Sequence, residues 1–292
     1  MKRCLDCSQV FESANWQCPS CGWKPEKTDN IRVFAPELAL NNSGFKGSSF
    51  ALLASLEADY FWFRARNDLI IWALAKYGAR TFSFMEIGCG TGFVLQGIAR
   101  NFPKIRLVGS EIFSKGIAFA TERVKCCEFM QMDARKIPYI SEFEAVGAFD
   151  VIEHIQEDVT VLQQIYQSLK PNGLLLLTVP QHPWLWSTVD ENACHIRRYT
   201  KRELHKKLKL SGFKIIRSTS FVTSLLPCIL FSRFLRRSKS TRSAAVAEIQ
   251  INPILNRIFE GFLRIELWLV RMGVSFPVGS SRVIIAKKVL KN

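Results

Sequence analysis

A glycine-rich turn is the first stretch of this sequence whose residue types could do chemistry. Residues 82–99 comprise a short apolar run, the turn Gly88–Gly92 and a segment that resumes helical spacing. The order is strand, glycine loop, helix, and glycines let the backbone approach a ligand closely. Glu86 lies two residues ahead of the turn, so a carboxylate stands beside it.

Two phosphate-binding patterns do not fit this turn. The dinucleotide fingerprint G-x-G-x-x-G needs glycine where this sequence has Phe93, and a P-loop needs G-K-[ST], which the turn lacks. What remains is Glu86 followed by G-x-G-x-G, formed by Gly88, Gly90 and Gly92. A carboxylate beside open backbone suits a cationic group better than a phosphate. The turn therefore favours a ligand that carries an ammonium or a sulfonium.

A second set of chemistry-bearing residues consists of four cysteines near the start of the chain. Cys4 with Cys7 and Cys18 with Cys21 form two C-x-x-C pairs. Such pairs can bring four thiolates around one tetrahedral zinc ion. The segment resembles a zinc ribbon, so we expect structural Zn²⁺ and a role in binding partners or nucleic acid rather than in catalysis. Unrelated or redox-active cysteine pairs are the alternative.

Several elements must position the turn. Residues 104–111 predict a second strand that ends in Glu111, and Asp133 follows a third. Residues 143–149 predict a fourth strand, and Leu174 to Pro180 a buried fifth. An apolar segment at 281–289 predicts the last strand.

On these residues the chain resembles the class I S-adenosylmethionine-dependent methyltransferases of the ubiquinone type, over residues 60–220 and again at 281–289. The resemblance implies an α/β fold: a Rossmann-like seven-stranded sheet, mainly parallel, with helices on both faces and the cofactor at the carboxyl ends of the strands. It implies that Glu111 holds the ribose and that Asp133 contacts the adenine amino group. The S-adenosylmethionine site so implied comprises Glu86, Gly88, Cys89, Gly90, Gly92, Glu111, Ile112, Asp133, Ala134, Phe149 and Asp150.

The run DVIEH places Asp150, Glu153 and His154 on one helical face just past the fourth strand. It is similar to the segment of ubiquinone-type O-methyltransferases in which two acids and a histidine can hold a divalent cation that activates a hydroxyl. This sequence has Asp where that subgroup has Glu. The alternative is a hydrogen-bonded pair of Glu153 and His154 at a helix start.

A second acceptor-side candidate follows the fifth strand. For an alcohol or phenol acceptor a base must remove a proton, and His195 is preferred for this role over His154. Two arginines beside a histidine and tryptophans suit an anionic acceptor. The predicted substrate-binding residues are Trp184, Arg197, Arg198 and Tyr199. The alternative is that Arg197 and Arg198 pair with acidic residues of the protein.

The chain divides by composition into five parts. We predict a zinc-ribbon-like module at 1–28, a linker at 29–47, the methyltransferase core at 48–220, a helical insertion at 221–280, and the final strand with a tail at 281–292. The insertion joins an uncharged run, too short to span a bilayer, to basic residues between Arg233 and Arg242. This pattern is typical of a contact with the membrane surface, and a lid over the substrate opening is the alternative.

The net charge and the cysteines indicate the partners and the cellular compartment. A net charge of +15 favours an acidic partner, either nucleic acid or an anionic membrane surface. The alternative is that the excess charge only aids solubility. No secretory signal opens the sequence and nine cysteines argue against a disulfide framework, which predicts a cytoplasmic protein, peripheral on the inner membrane face.

We therefore expect a methyltransferase that acts on a small-molecule, lipid-linked or glycan acceptor at that membrane face. A ribosomal-RNA-type methyltransferase that binds RNA through its zinc ribbon and basic surface is one alternative. A non-catalytic scaffold with the same fold is another.

Overall fold

The computed structural model describes residues 1–39, 47–78, 81–236 and 252–289. The amino-terminal part contains two short hairpins and three helices. In chain order these are β1 (Lys2–Arg3), β2 (Val10–Phe11), β3 (Glu26–Thr28), β4 (Ile31–Val33), α1 (Pro36–Ala39), α2 (Gly47–Leu56) and α3 (Phe61–Tyr77).

Strands and helices then alternate through the core. They are β5 (Ser83–Ile87), α4 (Phe93–Asn101), β6 (Arg106–Glu111), α5 (Ser114–Arg123), β7 (Cys127–Gln131), β8 (Phe143–Phe149), α6 (Asp158–Ser168) and β9 (Leu169–Pro180). The remaining elements are α7 (Thr188–Asn192), α8 (Lys201–Leu210), β10 (Phe213–Phe221), α9 (Leu226–Arg236), α10 (Pro253–Arg271) and β11 (Ser281–Lys288).

The helices cover both faces of the sheet, as predicted. In β5, Met85 packs into a core cluster that contains Leu162 of α6, whereas Phe84 packs into another that contains Leu95 of α4. Because successive side chains of a strand point to opposite faces, a strand covered on both sides buries all of its side chains. Every residue of β5 is buried accordingly.

In the described chain the main sheet has nine strands, in the order β10-β11-β9-β8-β5-β6-β7-β4-β3. Neighbours from β9 to β4 run parallel, and β11 is antiparallel to both β9 and β10. The chain proceeds from β5 to one side through β6 and later to the other side through β8, which opens a crevice at the carboxyl ends of these strands.

The predicted seven strands are all present, and β3 and β4 are two that the sequence analysis missed. The predicted linker at 29–47 contains β4, which pairs in parallel with β7 at Arg32–Met130 and Val33–Gln131. An unpaired strand edge exposes backbone donors and acceptors, and β4 satisfies those of β7. A strand of three residues is too short to show a periodic pattern. Residues 40–46 of that linker lie outside the described residues.

The cysteine-bearing segment packs on the edge of the core. Trp16 is 3% exposed. Its ring centroid lies 5.0 Å from that of Phe34 and 5.1 Å from that of Tyr139. The terminal ammonium of Met1 also contacts Glu142 Oε2 at 2.7 Å. The segment and the sheet therefore share one apolar cluster, and their division into domains stays a prediction.

The helical insertion before the last strand is confirmed, because α9 and α10 lie between β10 and β11. Helix α10 packs on α3, where the Phe61 N–H donates to Asn256 Oδ1 at 2.8 Å and the ring centroids of Phe61 and Phe259 lie 5.5 Å apart. Of the predicted basic run, residues 237–242 lie outside the described residues. None of the described helices is long and apolar enough to span a bilayer.

Candidate active site

The glycine turn after β5 adopts left-handed backbone at all three glycines, with φ of 68° at Gly88, 52° at Gly90 and 77° at Gly92. A Cβ on Gly88 would lie 2.5 Å from Val151, and one on Gly92 would lie 3.0 Å from Ala120. A Cβ on Gly90 would meet nothing within 4 Å. Gly88 and Gly92 therefore allow close packing, whereas Gly90 borders open space that a ligand can enter.

Glu111, at the end of β6, holds this turn. Its Oε2 accepts the N–H of Gly90 at 3.0 Å, and its Oε1 accepts the N–H groups of Ile112 and Phe113 at 2.8 and 3.2 Å. Burial raises the pKa of this carboxyl, and the three N–H groups oppose that rise. Oε1 already accepts two donors, whereas Oε2 retains a lone pair for one more, so the carboxylate can also accept a hydroxyl.

Glu86 is 2% exposed, and its Oε2 has no hydrogen-bond partner in the described part of the chain. Burial raises the pKa of Glu86 well above its usual range, the charge of Arg66 opposes this, and Glu111 raises it further. A buried carboxyl oxygen without a donor is costly. A cationic group beside the turn would satisfy it.

The other predicted cofactor residues lie at neighbouring strand ends. Asp133 and Ala134 follow β7, and Phe149 ends β8. The Asp133 carboxylate is already engaged, since Oδ1 accepts the Arg135 N–H at 2.9 Å and Oδ2 accepts the Arg135 Nε–H at 3.0 Å. Cys89 is buried, which raises the pKa of its thiol well above the usual range, so that it stays protonated.

Two ion-pair networks that the sequence analysis missed lie beside the glycine turn and beside the end of β8. Arg123 Nη1 contacts Glu57 Oε2 at 2.6 Å and donates to the Thr91 carbonyl at 3.1 Å, and Thr91 Oγ1 donates to Glu57 at 2.5 Å. On the other side Arg66 pairs with Asp150, whose backbone φ is positive. The guanidinium carbon of Arg66 lies 4.4 Å from the Trp62 ring centroid. Sequence spacing alone could not pair these partners, which lie far apart in the chain.

On the acceptor side, Glu153, His154 and His195 come together, with one ligand atom of each within 4.8 Å of the others. Glu153 is fully buried, and neither of its carboxyl oxygens has a partner among the described residues. His195 Nε2 lies 3.9 Å from Glu153 Oε1. The predicted cation set included Asp150, but that carboxylate pairs with Arg66, and His195 takes its place in the cluster.

The two histidines are oriented through their other ring nitrogen. His195 Nδ1 lies 3.0 Å from Asp190 Oδ1, and His154 Nδ1 lies 3.2 Å from the Cys194 carbonyl oxygen. Burial would raise the pKa of Asp190, but hydrogen bonds from His195 and Arg198 lower it to about 2. Asp190 therefore stays ionised and fixes His195 with Nε2 towards Glu153.

The predicted substrate-binding arginines are engaged internally, as in the alternative interpretation. Arg197 Nη1 contacts Asp158 Oδ2 at 2.9 Å, and Arg198 Nε contacts Asp190 Oδ1 at 2.6 Å. Tyr199 is fully buried and donates its hydroxyl to Asp158 at 2.7 Å. These three side chains brace the loop that carries His195, so they are not placed as free anion-binding groups. Trp184 is exposed.

Comparison with known proteins assigns the core. The sequence model described as "Methyltransferase domain" matches residues 56–218. A probable S-adenosylmethionine-dependent methyltransferase of Mycolicibacterium smegmatis is 24% identical over 169 residues, which are 56% of this chain and 63% of that protein. Phosphoethanolamine N-methyltransferase 3 of Arabidopsis thaliana is 33% identical over 165 residues, 53% of this chain and 32% of that protein. The chain thus spans less than two thirds of either relative.

Solved structures agree on the fold. Phosphoethanolamine N-methyltransferase 2 of Haemonchus contortus, in complex with S-adenosyl-L-methionine, superposes with a TM-score of 0.57 at 17% identity. The match covers 86% of this chain and 59% of that one. At this identity the likeness supports the mixed α/β fold with its large, mostly parallel sheet.

The close approach of His154 and His195 leads to a prediction for the pKa of His154. We expect a pKa of about 4 for His154, because burial and the neighbouring His195 both disfavour its imidazolium. Since unfolding restores the usual value of 6.5, this histidine makes stability rise with pH between those two values. An NMR titration of the histidine ring protons measures the pKa directly.

His195→Gln should raise the His154 pKa part of the way towards 6.5, because it removes the second of the two causes. His205→Gln serves as the control, since His205 hydrogen-bonds Ser218 on β10 and should leave the His154 titration unchanged. A wild-type His154 that titrates at 6.5 or above would contradict the arrangement.

Proposed function

Because this chain belongs to the methyltransferase domain family, we propose that it is an S-adenosylmethionine-dependent methyltransferase. The supporting observation is the pair of buried carboxyls at the ends of β5 and β6, one with an unpartnered oxygen and one fixed by backbone N–H groups, on either side of the open backbone at Gly90.

The residues of the crevice fit S-adenosylmethionine. Glu86 would accept from the ammonium of its amino-acid end, and Glu111 Oε2 would accept from a ribose hydroxyl. Ile112 and Ala134 would border the base, and Asp133 would contact the adenine amino group in exchange for part of its hydrogen bonding with Arg135. When bound, the cofactor supplies a methyl group activated by its sulfonium. The protein's part is to orient the acceptor in line and to exclude water.

Glu111→Gln should weaken the binding of S-adenosylmethionine and of S-adenosylhomocysteine by about 10- to 100-fold, because a charged acceptor becomes a neutral amide. Isothermal titration calorimetry measures this. Glu122→Gln is the matched control, since Glu122 is an exposed carboxyl on α5. Equal affinities for the wild type and Glu111→Gln, with unchanged melting, would refute the cofactor site.

We assign the general base for a hydroxyl acceptor to His195. Asp190 holds Nδ1, so Nε2 would take the acceptor's proton while the ionised Asp190 stabilises the imidazolium. His154 is a weak base, because its pKa is about 4. The preference for His195 over His154 therefore gains a physical reason.

The same cluster also fits a divalent cation, as the second candidate chemistry. Glu153 would supply a carboxylate, and the Nε2 atoms of His154 and His195 would supply imidazole ligands, since each ring is fixed through Nδ1 by a carbonyl or a carboxylate. Such a cation would lower the pKa of an acceptor hydroxyl. His195 cannot bind a metal and act as a base through one nitrogen, so the two chemistries exclude each other.

His195→Gln should lower kcat by about 10²- to 10⁴-fold and leave the affinity for S-adenosylmethionine unchanged, since only proton removal is affected. The control is His182→Gln, because His182 hydrogen-bonds the neighbouring Gln181 outside the cluster. Undiminished turnover in His195→Gln would exclude the base. Loss of wild-type turnover on treatment with EDTA, restored by Mn²⁺, would instead support the cation.

We propose a small, lipid-linked or glycan acceptor of anionic character at an anionic membrane surface. Two of the similar proteins are named phosphoethanolamine methyltransferases, and phosphoethanolamine is small and carries a phosphate.

RNA is the alternative acceptor that one observation favours. The exposed side of α8 forms a basic surface with Lys201, Arg202, Lys206 and Lys209. Transfer of labelled methyl groups to cell fractions identifies the acceptor as lipid, saccharide or RNA. If the chain binds S-adenosylmethionine but transfers no methyl group to any fraction, the non-catalytic scaffold is the interpretation that remains.

We also propose a structural zinc ion at Cys4, Cys7, Cys18 and Cys21. The Sγ atoms of Cys4 and Cys21 lie 3.6 Å apart, as do those of Cys7 and Cys18. A tetrahedron with Zn–S bonds of about 2.3 Å has edges of about 3.8 Å, so the thiolates fit the ion.

We expect one equivalent of zinc per chain by elemental analysis, lost in Cys18→Ser. The same substitution should lower the melting temperature, because Trp16 carries the segment into the core. The control Cys228→Ser replaces an exposed cysteine of α9 and should keep the metal. A zinc-free wild type with unaltered melting would contradict the proposal.

A further inference from the structure

We propose that the outward face of α10 docks on an anionic phospholipid surface. This interaction surface deepens the proposed function, because it places the enzyme where a lipid-linked acceptor resides. Unlike the basic run at 233–242, it is formed by side chains that the structure describes.

The face is a continuous apolar stripe. Ile254 is 69% exposed, Ile265 60% and Trp268 58%. The spacings of the stripe are those of one helix side, and its members are Ile254, Leu255, Ile258, Phe262, Ile265, Trp268 and Met272. The opposite side, with Leu263, Leu267 and Val270, is fully packed against the core. Apolar side chains on the outward side of a helix whose inward side is already packed indicate a second apolar partner.

Charge defines what that partner is. Arg257, Arg264 and Arg271 recur every seven residues, which places them in one exposed row along a flank of the stripe, within about 20° of one another per step. The acids of the helix turn inward. Glu266 is 2% exposed and accepts the N–H groups of Thr223 and Ser224 at 3.0 and 2.8 Å.

The remaining acid, Glu260, is held between Arg64 of α3 and Arg264. The outward face of the described helix therefore presents apolar side chains and arginines, and both acids of the helix itself are engaged elsewhere. Asp68 of α3 is the carboxylate that lies near Arg264 and Arg271. An apolar stripe with a basic edge and a tryptophan beside it matches a helix that lies at the boundary of headgroups and acyl chains. The net charge of +15 acts in the same direction.

The docked helix would be rigidly connected to the candidate active site. Asn256 of α10 accepts the N–H of Phe61, the first residue of α3, and Glu260 pairs with Arg64 one turn later. Two residues on, Arg66 contacts Asp150 at the end of β8. The lipid surface and the acceptor side of the crevice are thus joined by the first turns of α3. This step rests on the proposed function, whereas docking itself does not.

Flotation of the full chain with vesicles tests the surface. We expect binding to mixed phosphatidylcholine and phosphatidylglycerol vesicles and much weaker binding to phosphatidylcholine alone. Arg257→Gln with Arg271→Gln should weaken binding about 30-fold, at a factor of about five for each arginine near the surface. Ile258→Ser with Ile265→Ser should weaken it at least about tenfold. The matched control is Phe82→Ser, which removes a 70% exposed aromatic ring ahead of β5.

Fluorescence quenching tests whether the apolar stripe reaches the acyl chains of the vesicle. Lipids brominated on the acyl chains should quench tryptophan fluorescence in the wild type, and most of this quenching should be lost in Trp268→Phe. Equal flotation of the wild type and both double variants would overturn the proposal. So would a dimer in light scattering that Ile258→Ser with Ile265→Ser dissociates while vesicles are not bound, since the stripe would then face a second copy.

RNA retention that the arginine substitutions abolish, with flotation unchanged, would also overturn the proposal and favour nucleic acid. All vesicle measurements are made without S-adenosylmethionine. If the chain floats with vesicles but gives no heat of binding with S-adenosylmethionine, the docking surface is supported and the proposed function is refuted. The two failures are therefore distinguishable.

Discussion

The candidate site depends on the carboxylate of Glu111. It ends β6, and it accepts N–H groups from the glycine turn after β5 and from the start of its own loop. Glycine backbone with positive φ is not rigid by itself, so an external acceptor must select one conformation. Because the two strands are adjacent and parallel, one buried side chain can lock the turn and still offer a lone pair of Oε2 to the crevice.

The crevice buries several acids, and the desolvation cost of each carboxylate is compensated differently. Glu111 is compensated by backbone donors and Asp190 by His195 and Arg198. Glu86 and Glu153 carry oxygens without partners among the described residues. A stable fold retains few such groups, and those it retains are candidates for binding or catalysis. The two uncompensated acids lie one on the proposed cofactor side and one on the proposed acceptor side of the crevice.

The sequence predicts what is local and misses what depends on distant partners. The strands of the core, the glycine turn and the position of Glu111 follow from short patterns, because a parallel α/β unit repeats strand, loop and helix. The Glu57–Arg123 pair and the Arg66–Asp150 pair join residues more than sixty positions apart, and no spacing rule connects them. For Arg198 the sequence leaves open a role in substrate binding or a pairing with an acid of the protein, and it does not identify that acid as Asp190. β4 was missed because its pairing with β7 is a tertiary contact.

The first turns of α3 join parts of the molecule that would otherwise be independent. Arg64 contacts α10, Arg66 contacts Asp150, and the Asn67 side chain donates to the Phe93 carbonyl at the start of α4 at 3.3 Å. A Cβ on Gly97 of α4 would lie 2.4 Å from Asn67 Nδ2, so α3 and α4 touch too closely to slide. Consecutive helical positions point about 100° apart, which is why three near neighbours in sequence can reach three different elements. A rotation of α3 large enough to free one contact would disturb the others, so α10, the end of β8 and the helix after the glycine turn are held in one geometry.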